Sequence, residues 1–174
     1  MPNPLTALVN AIRSRLYEAV YFLTEVERVR GVSPAVSFKT MTSVYLGDLA
    51  TRASIDFLAD QVAGQGFYTT MNEEYTQPSE GKTAQEIVDQ FCEEHGLDEV
   101  LQQSAKYLVG WGNVFWWVGN PKKIEFFKLV PLEIIRDNGI KFSDNGVLEK
   151  IELDWKRQPS MILGDELIHL AYNV

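Results

Sequence analysis

The sequence predicts an α+β fold, in which N-terminal helices are followed by a mostly antiparallel sheet. Up to about Gly112, apolar residues recur at the three- and four-residue steps of amphipathic helices. Beyond that point, short β-branched and aromatic runs alternate with turn-forming pairs such as Asn138-Gly139 and Asn145-Gly146. The composition, 45% hydrophobic and 23% charged over 174 residues, is typical of one compact globular domain with room for an appended arm.

The first 40 residues predict an amphipathic helix and an extended arm. Pro4 suits the first turn of a helix, and the apolar positions that follow are Leu8, Val9, Ile12, Leu16, Val20 and Leu23. Gly31-Val-Ser-Pro34 ends this helix, because the residue before a proline is pushed out of the helical region. An extended link to about Thr40 is expected next. We therefore divide the chain into an arm, 1–40, and an α+β domain, 41–174.

A second helix is predicted from near Ser43 to Ala63, with Gly64 as its left-handed stop. Its expected buried positions are Val44, Leu49, Ala53, Ile55, Leu58, Ala59 and Val62. A short strand, Phe67 to Thr70, is expected after the glycines that follow. The segment from Tyr75 to Lys82 is predicted to be a loop.

Two more helices precede the sheet. Thr83-Ala-Gln-Glu86 has the pattern of a capping box, and Gly96 is expected to end the helix that it starts. A fourth helix follows and is expected to stop at Gly110 or Gly112. The predicted strands are Val114 to Val118, Ile124 to Val130, Leu132 to Arg136, Ile140 to Phe142, Val147 to Trp155 and Glu166 to Ala171.

Charge and residue usage argue against several classes of protein. The formal net charge is −8 and the 16 Lys and Arg are scattered, which disfavours sequence-independent wrapping of nucleic acid. No segment is expected to be a signal peptide or to span a membrane. His95 and His169 lack the spacing of metal ligands, so neither a metal nor a cofactor is expected. Cys92 is expected to be a small buried hydrophobe, with Glu93 and Glu94 raising its pKa.

The least ordinary feature is an aromatic group formed by Trp111, Phe115, Trp116 and Trp117. Strand alternation sends Trp116 to one face and Phe115 with Trp117 to the other, so both faces must be covered. Two interpretations stay open. The strand is either a central core strand packed on helices, or part of an inter-subunit contact, where Trp is favoured.

Four segments, taken in order, resemble the N-terminal region of tailed-bacteriophage portal proteins. Ser54 to Ala59 with Val62 to Gly66 is similar to a portal helix that ends in a glycine turn. Ala105-Lys-Tyr-Leu-Val-Gly-Trp-Gly-Asn-Val-Phe115 resembles the family's helix, Gly-Asn turn and aromatic strand. Leu129-Val-Pro-Leu-Glu133 and Asp165-Glu-Leu-Ile-His-Leu170 look like two later steps of that pattern. The resemblance covers about 54–172.

The resemblance implies a non-catalytic protein, the wing of a subunit in a ring of about twelve copies at one capsid vertex. Such a ring nucleates capsid assembly, docks the terminase motor, passes double-stranded DNA and later holds neck proteins. It implies no cofactor and no membrane, with location in the virion and, during assembly, in the host cytoplasm. Portal proteins continue through a stem, a clip and usually a crown, none of which this sequence matches, so no DNA-contact residue is carried over.

Two other classes of function remain open from the sequence. One is a small α+β ligand-binding or enzymatic domain with a pocket near the Trp-rich strand, lined by Tyr107, Trp111 and a carboxylate. The other is a host-side adaptor protein.

Overall fold

A computed structural model describes residues 36–69, 83–120, 123–143, 147–155 and 158–171. The helix predicted within the first 35 residues, the loop predicted at 75–82 and the turn predicted at 145–146 lie outside these ranges. In the described part, no helix is long and apolar enough to span a bilayer.

Four helices come first: α1 (Phe38–Gly47), α2 (Leu49–Ala63), α3 (Ala84–Glu94) and α4 (Leu97–Trp111). The predicted capping box starts α3, since the Glu86 amide donates to Thr83 Oγ1 at 3.2 Å and the Thr83 amide donates to Glu86 Oε2 at 2.7 Å. Gly96 follows α3 with a positive φ of 57°, and Gly112 ends α4 with a φ of 71°, as expected of glycine stops.

The single helix predicted from Ser43 is wrong, because the chain forms two helices that break at Asp48. Asp48 has extended φ and ψ of −112° and 109°, and its carboxylate accepts from the Ala50 amide at 3.0 Å. It therefore caps α2 in the middle of the apolar pattern. The extended link to Thr40 is also wrong, since Ser37 caps α1 and Phe38 is buried in the core. The proposed boundary at residue 40 thus falls inside a helix.

The expected burial of this region holds only on part of α2. Ala59 is fully buried, whereas Val44 and Leu49 are 50% and 82% exposed. Gly64 has an ordinary helical φ of −70°, and the positive φ belongs to Gly66 instead. The segment after Gly66 makes no strand within its described residues, 67–69.

Six strands form two three-stranded sheets, ordered β2-β1-β6 and β3-β4-β5. The strands are β1 (Asn113–Asn120), β2 (Lys123–Leu129), β3 (Ile135–Phe142), β4 (Leu148–Trp155), β5 (Gln158–Leu163) and β6 (Leu167–Ala171). Every pairing is antiparallel. Helices followed by antiparallel sheets are the α+β class that the sequence predicts, so the fold class is confirmed.

Two turns separate or interrupt the strands differently from the prediction. Asn138 has a φ of 58° and lies inside β3, where the register with β4 shifts between Ile135 and Ile140. Asn138-Gly139 is thus a bulge and not the end of a strand. Residues Leu132–Ile134 form a 3-10 turn that precedes β3, where the sequence predicts a strand.

The edge strand β5, which contains Pro159, is absent from the prediction.

The central strand β1 lies between two packing layers. Its Trp116 reaches Ser104 of α4, while Phe115 stacks with His169 of β6, whose ring is 5.7 Å from Phe142 of β3. One face of the first sheet therefore meets the helices, and the other face meets the second sheet. Both faces of β1 are covered, as the alternation of its aromatic residues requires.

Candidate functional site

The four aromatic residues singled out in the sequence lie where α4 passes into β1. Trp111 is the last residue of α4, and Gly112 reverses the chain so that Asn113 begins the strand. The indole N–H of Trp111 donates to Thr42 Oγ1 at 3.2 Å. Its ring lies 5.2 Å from that of Tyr45 and 5.4 Å from that of Tyr107. Trp111 thus joins α4 to α1 and does not belong to the strand.

Trp116 is fully buried and is held by a polar pair on α4. Its Nε1–H donates to Ser104 Oγ at 2.9 Å, and the Ser104 hydroxyl donates to the Val100 carbonyl at 2.6 Å. Ser104 is itself 0% exposed. A buried indole N–H and a buried hydroxyl therefore satisfy each other, and this pair fixes the position of β1 against α4.

We expect Ser104→Ala to lower the free energy of unfolding by about 1–3 kcal/mol, because the Trp116 N–H keeps its burial and loses its acceptor. Urea denaturation followed by circular dichroism measures this loss. Ser54→Ala is the matched control, since Ser54 makes the same type of bond to Ala50 on an exposed helix face. Equal effects of the two substitutions would contradict the role given to the Ser104–Trp116 bond.

On the other face of β1, Phe115 and His169 stack with ring centres 4.5 Å apart and planes only 7° from parallel. The Asn113 side-chain amide donates to the Trp111 carbonyl at 3.2 Å, which leaves Asn113 Oδ1 as an acceptor 2.9 Å from His169 Nε2. This orientation places a proton on His169 Nε2. His169 therefore has the strand position expected of it. It also stacks on Phe115 and pairs with Asn113, and the sequence indicated neither contact.

Trp117 is the most accessible of the four aromatic residues. It is half-buried and makes an edge-to-face contact with Phe126 at 5.1 Å. Its Nε1 is enclosed without a hydrogen-bond partner, and an edge-to-face pair is a geometry in which an N–H can meet a ring face. The Lys128 ammonium lies 5.6 Å from the Phe126 ring centre.

The core interpretation accounts for Trp111, Phe115 and Trp116, whose side chains are enclosed by their own chain at 6%, 0% and 0% exposure. These exposures leave almost no surface of the three side chains for a direct contact with another subunit. For Trp117 an inter-subunit contact stays a prediction.

Tyr107 and Trp111, proposed to line a pocket with a carboxylate, do lie together, and Glu133 is the acid beside them. The Tyr107 hydroxyl is 3.4 Å from Glu133 Oε2. Burial and the Glu133 charge raise the pKa of Tyr107 to about 12. A phenol with this pKa stays protonated near neutral pH, so it is a poor general base.

Cys92 is an unreactive thiol. Burial, followed by the charges of Asp89 and Asp98, raises its pKa to about 11. The sequence analysis expected Glu93 and Glu94 to raise this pKa, whereas the acids that do so are Asp89, one turn earlier in α3, and Asp98, in the first turn of α4. Little thiolate exists at neutral pH, which disfavours nucleophilic catalysis.

The two histidines are explained by packing. His95 Nδ1 lies 3.0 Å from the Phe91 carbonyl at the end of α3, and its ring stacks on Phe91 at 4.2 Å. Within the described ranges, no three His, Cys, Asp or Glu side chains form a group that could hold a metal ion.

A polar cluster on the helices was not predicted from the sequence. The Tyr45 hydroxyl donates to Asp56 Oδ1 at 2.8 Å, and Lys106 Nζ lies 3.1 Å from the same oxygen. Arg52 approaches the other carboxylate oxygen at 3.7 Å and lies over the Tyr45 ring. The cluster joins α1, α2 and α4. Its one local signal was the spacing of Arg52 and Asp56, four residues apart on a helix.

The Tyr45 hydrogen bond is the largest cause that lowers the pKa of Asp56, followed by its bond to Lys106. Because the folded pKa lies below the unfolded value, the stabilisation is present above the unfolded pKa, about 3.9. This stabilisation is lost as pH falls through the folded pKa.

We expect the difference in unfolding free energy between wild type and Asp56→Asn to shrink from pH 7 to strong acid, as measured by urea denaturation. Asp137→Asn, on the exposed side of β3, controls for net charge. A pH-independent difference would contradict the assignment.

Comparisons with known proteins found no matching family model, no matching curated protein and no matching solved structure.

Proposed function

We propose that this chain is a structural assembly protein, corresponding to the wing of a subunit in a viral portal ring. The observation that carries the proposal is the motif from Ala105 to Phe115. In the structure, α4 ends at Trp111, Gly112 takes a left-handed conformation, and Asn113 begins an aromatic strand. This sequence of helix, Gly-Asn turn and aromatic strand is the one that the resemblance to portal proteins implies.

The order of elements around that motif also supports the proposal. Leu129 to Glu133 leads through a 3-10 turn into the second sheet, and Asp165-Glu166 leads through another into β6. Helices thus precede two antiparallel sheets, in the arrangement expected of the wing. Under this proposal the protein acts through contacts of its surface with other proteins. The buried aromatic residues Trp111, Phe115 and Trp116 stabilise the fold that presents this surface.

The proposed ring of about twelve copies occupies one capsid vertex, where it serves capsid assembly and the passage of double-stranded DNA. Its partners are further copies of the chain, the terminase, and capsid and neck proteins. The proposed location is the virion, with the host cytoplasm during assembly. A net charge of −8 suits a passage for DNA, because an acidic surface does not bind successive phosphates tightly.

The alternative of an enzymatic domain is less well supported. The Cys92 thiol and the Tyr107 phenol both have pKa values raised to about 11 and about 12, which leaves each in its unreactive protonated form. Trp111 is committed to a hydrogen bond with Thr42 inside the helical layer. The proposed non-enzymatic role therefore agrees better with the chemistry of these side chains.

Quantitative mass spectrometry of purified virus particles tests the proposal. The proposal predicts peptides of this chain at about twelve copies per particle, at a fixed ratio to the major capsid protein in both empty and DNA-filled particles. Presence at hundreds of copies would indicate a shell protein, and absence from particles would favour the host-side adaptor. Either result would contradict a portal subunit.

A further inference from the structure

Helix α2 carries a second apolar face that no part of the described structure covers. Leu49, Ala53 and Phe57 are four residues apart and therefore share one side of the helix. Leu49 is 82% exposed, Phe57 is 62% exposed, and Ala53 is also exposed. Leu46, at the end of α1, adds a side chain that is 66% exposed.

The opposite side of α2 already packs on the core. Ala59 is fully buried, and Ile55 and Val62 pack against the central cluster. Ile55 also closely approaches Gly110 of α4. A helix that is apolar on two sides is suited to a position between two layers. We call the exposed side, formed by Leu49, Ala53 and Phe57, the outer face of α2.

The segment 1–35 is the right length and in the right place to cover this face. It ends two residues before α1 in the sequence, and its predicted apolar stripe extends over about 20 helical residues, or roughly 30 Å. Helix α2 has 15 residues, about 22 Å. The predicted helix ends near Gly31, so the connection from residue 31 to residue 37 spans at most roughly 22 Å when extended, which allows the helix to return along α2.

Charge also favours this pairing. The segment 1–35 contains four Arg and three Glu, so it carries one net positive charge, while the remaining residues carry nine net negative charges. The predicted helix presents Leu8, Ile12 and Leu16 on one side, and Arg13 and Arg15 flank this stripe. It therefore offers an apolar stripe to the outer face and a complementary net charge to the rest of the chain.

We propose that the predicted amphipathic helix docks on the outer face of α2 in its own chain, through its apolar stripe at residues 4–23. The short connection raises the effective concentration of the helix to the millimolar range, which favours docking within the chain over docking on another molecule. Leu49 and Phe57 then leave water together with the apolar stripe of the docked helix. This arrangement does not depend on the portal proposal.

Disulfide trapping in the full chain tests the docking. Ala53→Cys places a thiol in the centre of the outer face, and Leu8→Cys, Ile12→Cys or Leu16→Cys places one on the apolar stripe. Ser14→Cys is the matched control, because residue 14 lies on the opposite side of the predicted helix. The native Cys92 is common to all variants. We expect each stripe variant to form a disulfide within one chain at least about tenfold faster than the control variant.

The site of linkage is read by mass spectrometry of peptides and by non-reducing electrophoresis. Equal rates for the stripe and control positions would overturn the proposal. Linkage between two chains would also overturn it, and would place the helix on a neighbouring copy. We add Phe57→Asp to the variant that carries Ile12→Cys and Ala53→Cys. Its disulfide is then expected to form no faster than that of the Ser14→Cys control, while the melting temperature of the domain is retained. If the disulfide in that variant still forms faster than in the control, the outer face of α2 is excluded as the docking site.

Discussion

Trp116→Ala is expected to cost about 3–5 kcal/mol of unfolding free energy, the largest loss from any single side chain discussed above. The indole is fully buried, donates to Ser104 and lies 4.9 Å from the ring of Phe127. Its removal leaves a large cavity between β1 and α4 and a serine without its donor. Because domains are stable by only about 5–15 kcal/mol, a loss of this size removes much of the total.

Urea denaturation followed by circular dichroism measures the effect without relying on tryptophan emission. Trp155→Ala is the matched control, because Trp155 is 49% exposed at the end of β4. We expect the control to cost less than about 1 kcal/mol. If the two substitutions have similar effects, Trp116 is not the centre of the core described above.

The second large effect is expected at Gly164, in the turn between β5 and β6. A Cβ atom at this position would overlap the carbonyl oxygen of Leu148 and lie 2.6 Å from its carbonyl carbon. These are backbone atoms of the neighbouring strand β4, so they cannot move aside as a flexible side chain can. Gly164→Ala is expected to cost about 3 kcal/mol or more, because the turn and β4 must separate.

Gly47→Ala is the control for this second prediction. A Cβ at Gly47 meets nothing within 4 Å, and the residue lies at the end of α1 without a positive φ. Alanine there is expected to be neutral or to stabilise the helix by about 0.5–1 kcal/mol. Thermal unfolding of both variants measures the difference. A tolerated Gly164→Ala would contradict the close approach of this turn to β4.

Local signals explain which elements could be predicted from the sequence. Thr83 and Glu86 form the expected capping box, and Gly112 ends α4, because caps and glycine stops depend on neighbouring residues alone. These features survive in the structure because tertiary packing does not oppose them.

The missed elements depend on partners that the local sequence does not contain. Strand β5 was not predicted, and it contains Pro159, whose missing N–H is tolerated because β5 is an edge strand. Asn138-Gly139 resembles a hairpin turn, but the chain uses it as a bulge in β3. On α2, the sequence contains two apolar faces, and only the packing of α4 decides which of them is buried.

The aromatic centre was predicted in part. Alternation correctly indicated that both faces of β1 are covered, with Trp116 opposite Phe115. Its polar partners were not found, because Ser104 meets Trp116 only after α4 packs on the strand, 12 residues away in the chain. One signal was present: Ser104 is a polar residue in the apolar stripe of Leu97, Leu101 and Leu108.

The mass of the purified chain in solution, measured by light scattering with negative-stain images of the same sample, tests the portal proposal most directly. The proposal predicts a closed ring of about twelve copies. A strict monomer over the whole accessible concentration range would contradict the formation of a ring by this chain.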